Sequence, residues 1–257
     1  MSHSIDRRSR ERHVPRMREF KTLLVGLTAL AFAASPLFSE GFGGYDPDQF
    51  KVPQIDPPVV PAGYAFSVWG LLYLWLVAGA AFGLLRRKID EDWDAMRLPL
   101  ALSLGVGAIW IPVAQASPFW ATILIWVMWA GAARALVTSG STDRLWQRSP
   151  IALYAGWLTA ASLVSLTLLL AGNGWVGSTT AALAAIVSAF FLTSWVQRLR
   201  PDTPEYSLTV IWALVGIIFG NLEPLNLTVA ALAGTGAVIL AAMTLRLMLR
   251  PHPLPTD

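Results

Sequence analysis

Three stretches of this chain carry no charged residue: Leu98 to Gly131, Ser149 to Gln197 and Pro224 to Leu245. A helix needs about 20 apolar residues to cross the hydrocarbon core of a bilayer, and each run is long enough for one or two crossings. Charged residues make up only 14% of the 257 positions, against roughly 25% in a soluble domain. The deficit therefore has a location, and the chain reads as an all-α integral membrane protein.

Eight apolar segments follow from the pattern: 22–38, 63–85, 98–116, 118–138, 150–171, 178–196, 206–222 and 225–247. Turn chemistry separates them, with Ala116-Ser117-Pro118, Asn173-Gly174, Pro201 to Pro204 and Glu223-Pro224. Basic residues test the count, because they favour the cytoplasmic side. Of 19 lysines and arginines, 18 fall on one side of an eight-span arrangement: the arm from Arg7 to Lys21, then Arg86, Arg87, Lys88, Arg97, Arg134, Arg144, Arg148, Arg198, Arg200, Arg246 and Arg250. Lys51 alone falls on the other side, among Glu40, Asp46, Asp48 and Asp56. Both termini are thus expected in the cytoplasm, and in a bacterium the membrane would be the inner one. The net charge of +3 is explained by this sorting and implies no nucleic-acid partner. Two segments are short. Thr22 to Phe38 reads as a retained helix, although Ala-Phe-Ala-Ala-Ser at 31–35 also fits a signal-peptide cleavage site. Tyr206 to Leu222 reads as a crossing, a re-entrant segment being the alternative.

Several chemistries are excluded. There is no cysteine, hence no disulfide and no thiolate nucleophile. His3, His13 and His252 lie near the termini, away from any buried haem or proton relay. No carboxylate stands in mid-segment, which argues against ion-coupled transport. No metal-binding or catalytic constellation is present, so neither a metal nor a resident cofactor is expected.

Tryptophan is the compositional outlier, at twelve residues. Trp120, Trp146, Trp175 and Trp195 sit at segment ends, where an interfacial belt accounts for them. Trp69, Trp110, Trp126, Trp129, Trp157 and Trp212 lie further inside. Phe66, Trp69 and Tyr73 share one helix face at i, i+3, i+7, and Tyr154 and Trp157 pair at i, i+3. Aromatic faces of this kind either pack between helices or wall a site for a flat ligand. Small residues also form faces, with Gly79 and Gly83, with Ala181, Ala185 and Ala189, and with Ala233, Ala237 and Ala241. They serve close packing within the bundle or a homodimer seam.

The run Pro61-Ala-Gly-Tyr-Ala-Phe-Ser-Val-Trp-Gly-Leu-Leu-Tyr73 resembles the second-helix signature of the TspO/MBR family, the tryptophan-rich sensory proteins related to the translocator protein. Leu153-Tyr-Ala-Gly-Trp157 resembles the family's fifth-helix motif, and Trp110 stands where its third helix carries a tryptophan. The resemblance covers about residues 20–172. It implies a five-helix core over 22–172 behind a basic arm at 1–21, with a three-helix extension over 173–250 and a short tail at 251–257. It also implies a site for a planar hydrophobic molecule such as a porphyrin, lined by Phe66, Trp69, Tyr73, Trp110, Tyr154 and Trp157. Two family asparagines are replaced, by Gly107 before the third-helix tryptophan and by Ser165 after the fifth-helix motif. A sensor or carrier is the expected function. An uncoupled transporter using all eight helices and a light-dependent porphyrin breakdown through the tryptophans are the other two readings.

Overall fold

The structure, a computed structural model, describes residues 2–39 and 43–249, with side chains from residue 15 onward. Glu40, Arg250, His252 and the expected tail at 251–257 lie outside the described residues, as do the side chains of His3, His13, Arg7, Arg8, Arg10 and Arg12.

Among the described residues eight α-helices follow one another: α1 (Ser2–Ala34), α2 (Val68–Arg86), α3 (Asp94–Ala116), α4 (Pro118–Thr138), α5 (Arg148–Gly172), α6 (Ser178–Leu199), α7 (Pro204–Gly220) and α8 (Leu227–Met248). Short 3-10 turns extend α1 over Ser35–Phe38 and lead into α2 over Gly63–Ser67. Seven spans among the described residues are long and apolar enough to cross a membrane, and α7 is shorter. α3 and α5 start earlier than hydropathy places them, at Asp94 rather than Leu98 and at Arg148 rather than Pro150. Polar residues end an apolar run but continue a helix, so apolarity marks the hydrocarbon-spanning part only. Caps set some of the true starts: Ser117 accepts from Trp120 N–H and Asn226 from Val229 N–H.

Hydrogen bonds sort the connections into two ends. At one end Arg18 meets Glu91 at 2.6 Å, Lys21 meets Asp94 at 2.8 Å, Arg87 meets Asp143 at 2.7 Å and Arg144 meets Glu205 at 2.7 Å. At the other end Gln49 donates to the Gln115 carbonyl at 2.7 Å, Val52 N–H to the Gly172 carbonyl at 2.8 Å and Asn221 to the Pro58 carbonyl at 2.8 Å. Successive spans therefore alternate in direction, and the charge pattern counted them correctly. The short α7 is included. Glu205 at its start belongs to the first end and Asn221 just past its finish to the second. Its 17 residues cover about 25 Å.

At the basic end burial and charge coincide. Arg97 is 1% exposed, donates to the Arg87 carbonyl and lies 3.6 Å from Asp94. Arg148 pairs with Asp202 and donates to the Gly140 carbonyl. Such charges persist in a buried setting only when paired.

The centre of the bundle is α5, which packs against α2, α4, α6 and α7. Small residues permit this. A Cβ added at Gly131 of α4 would stand 2.8 Å from the Pro99 carbonyl oxygen of α3, and Gly156 of α5 leaves the same kind of room for the backbone of Tyr206 in α7. The outward faces stay apolar, with Leu27, Leu74, Phe191 and Val238 all exposed, as a lipid-facing surface requires. Gly79 and Gly83 are covered within the chain, against the Trp146 backbone and the Trp93 ring.

Candidate functional site

The long connection from α1 to α2 does not hang free. Phe50 is buried, Tyr45 OH meets Ser165 Oγ at 2.7 Å, and Gln49 bonds the end of α3. Farther along, Ala62 N–H donates to the Gly216 carbonyl at 2.9 Å, and Trp212 Nε1–H donates to the Ala65 carbonyl at 2.9 Å. These bonds tie the segment to α3, α5 and α7, so that it forms a roof over the bundle.

Beneath the roof lies a cavity of about 680 Å³. Its walls come from the end of α1, the start of α2, the second half of α3, the middle of α4, α5 between Trp157 and Leu168, and the end of α7. Trp69 and Tyr73 stack at 5.4 Å with 21° between planes. Trp157 meets Trp69 edge-on at 5.9 Å and Phe66 edge-on at 5.8 Å. Phe32 closes the set, 5.9 Å from Trp69 and 5.1 Å from Tyr73. Trp110 is held by its indole N–H, which donates to the Ala121 carbonyl at 2.9 Å. The Trp157 N–H has no hydrogen-bond partner among the described residues.

Polar groups are few. Tyr45, Ser165 and Thr122 form a hydroxyl chain with Oγ–Oγ1 of 2.8 Å between the last two. Burial pushes the Tyr45 phenol above its ordinary pKa, against the opposing hydrogen bonds from Ser165 and Thr122. Among the described residues no group of histidine, aspartate or glutamate could hold a metal ion.

A family model described as TSPO-like protein matches residues 50–246. The chain belongs to the TSPO-like protein family. The match runs from the roof through α2 to α8 and leaves α1 outside it. No curated protein and no solved structure matches the chain.

Five of the six residues expected at the site line the cavity: Phe66, Trp69, Tyr73, Trp110 and Trp157. Tyr154 stands one layer back. It is fully buried, its hydroxyl meets Ser103 Oγ at 3.1 Å, and Phe32 stands against its ring at 5.5 Å. Helical spacing fixed its face, but that face is covered by α1. Trp126 and Trp129 pair edge-on at 5.5 Å away from the cavity lining, with Trp129 donating to Thr159 at 2.8 Å.

Sequence reasoning missed Phe32 and the roof. Phe32 explains Gly107: a Cβ there would stand 2.6 Å from the Phe32 ring, so the ring occupies the space of an asparagine side chain. Ser165 likewise keeps a hydrogen-bonding role through Tyr45 and Thr122. The available signal was an aromatic in the alanine-rich end of α1, facing a glycine-rich α3.

Proposed function

We propose that this TSPO-like membrane protein is a sensor or carrier that takes a planar hydrophobic ligand, such as a porphyrin, into the cavity under the roof. The observation that carries this reading is the aromatic wall. Phe32, Phe66, Trp69, Tyr73 and Trp157, from α1, α2, α5 and the turn before α2, surround one apolar space. At about 680 Å³ the space lies within the ~300–1,000 Å³ typical of small-molecule sites. Stacking and exclusion of water supply the affinity, and shape supplies selectivity. With its basic end in the cytoplasm, the cavity faces the opposite side of the membrane.

The test is a titration of protoporphyrin against the detergent-purified protein, following tryptophan fluorescence. Saturable quenching that weakens in Trp69→Phe and Trp157→Phe is expected. No saturable quenching by protoporphyrin or by its uncharged dimethyl ester, or quenching indifferent to both substitutions, would mean that these rings serve packing alone.

A further inference from the structure

Among the described residues, the ionisable side chains that line the cavity are two carboxylates, Asp56 in the roof and Glu223 in the α7–α8 turn, and two phenols, Tyr45 and Tyr73, with no lysine, arginine or histidine. Asp56 and Glu223 are exposed, and neither has an ion-pair partner among the described residues. The opposite end of the bundle differs. There Glu91, Asp94, Asp143, Asp202 and Glu205 are all taken up by arginine or lysine. Folding thus consumes the acids at one end and leaves those at the cavity free. The neighbouring roof acids Asp46 and Asp48 are exposed as well, with Lys51 the one base in the segment.

We propose that the cavity selects a flat apolar ligand bearing a positive charge, a protonated or quaternary amine, with its ring system among the aromatic residues and its cationic group beside Asp56 and Glu223. This rests on the flat-ligand reading above and adds the charge of the ligand. Unpaired carboxylates at the rim of a low-dielectric cavity attract a cation and repel an anion, and they do so more strongly than in open water. An anionic ligand would meet no counter-charge among the described lining residues.

The experiment uses three derivatives of one porphyrin with the full-length protein in non-ionic detergent: the free diacid, its dimethyl ester, and a diamide ending in two quaternary ammonium groups. Affinity should rise in that order, with the ammonium form about tenfold tighter than the ester at low ionic strength and the gap closing in high salt. In the Asp56→Asn/Glu223→Gln protein, checked as folded by its melting curve, the salt-dependent gap should disappear. Asn suits position 56, where φ is 45°. A diacid that binds as tightly as the ammonium form overturns the proposal, as does a gap that survives the double substitution. If none of the three saturates, the flat-ligand reading itself falls and the charge preference falls with it.

Discussion

Gly216→Ala perturbs the joint between α7 and the roof from outside the cavity, pressing on Pro61, which belongs to the lining. An added Cβ would stand 2.8 Å from the Ala65 Cβ and 2.8 Å from the Pro61 Cβ. Carbon atoms rest at about 3.5–4.0 Å, so one side must retreat by about 0.7 Å or more. Neither partner can do this by rotating a side chain, since one is a bare Cβ and the other part of a ring fused to the backbone. The roof backbone must shift, and it carries the bonds from Ala62 N–H to Gly216 and from Trp212 Nε1–H to Ala65. Overpacking costs about 1–3 kcal/mol, and a strained neutral hydrogen bond adds up to about 1 kcal/mol. We expect stability to fall by about 1–4 kcal/mol. Porphyrin affinity should fall by between about fivefold and several hundredfold if the same strain opposes the roof's position over the ligand. The assay is thermal unfolding in detergent together with the fluorescence titration. Gly234→Ala in α8 is the control, because its Cβ would meet Ile218 Cδ1 at an ordinary 3.7 Å. If Gly216→Ala matches that control in both measurements, α7 does not hold the roof.

Four further substitutions test the same structure. Gly107→Asn should destabilise by about 1–3 kcal/mol through its clash with Phe32, and Phe32→Ala should recover much of that in the double variant; additive unfolding energies would sink the pairing. Ser165→Ala removes the hydroxyl shared by Tyr45 and Thr122. It should cost about 1–3 kcal/mol and speed hydrogen exchange across residues 43–52, and unchanged exchange there would separate Tyr45 from roof anchoring. At the basic end, the Arg87 hydrogen bond, aided by Trp93 and opposed by burial, holds Asp143 below its ordinary 3.8. A depressed folded value gives stability that is complete above the unfolded pKa and is lost as pH falls through the folded one. The melting temperature should therefore drop more steeply below about pH 4 in the wild type than in Asp143→Asn, and parallel curves would contradict the assignment.

The spans were legible because lipid imposes its constraint locally: each crossing must supply its own apolar length and satisfy its own backbone. Charge sorting is equally local, and it placed Arg18, Arg87, Arg97, Arg144 and Arg148 at the end where the structure pairs them. It also separated a crossing from a re-entrant segment for α7, since losing that span would have inverted α8. The roof was not legible for the converse reason. Residues 43–62 are rich in proline, glycine and aspartate, and such a segment reads as a solvated loop. Its order comes from partners far along the chain, among them Ser165, Gly172, Gly216 and Asn221.

The cavity divides along the same line. Phe66, Trp69 and Tyr73 could be grouped from sequence because they lie within about two turns, where periodicity fixes the shared face. Which side of a central helix meets the cavity is a tertiary question, and it separated Trp157 from Tyr154. The deciding residue is Phe32, whose ring meets Tyr154 and fills the space above Gly107. A glycine there looks like a lost polar group when α3 is read alone. Beside α1 it is the vacancy that lets an aromatic ring reach the cavity wall, and the wall gains apolar stacking surface where an amide would have stood. The ligand that suits such a wall should depend less on hydrogen bonds from α3 and more on the area of its flat face.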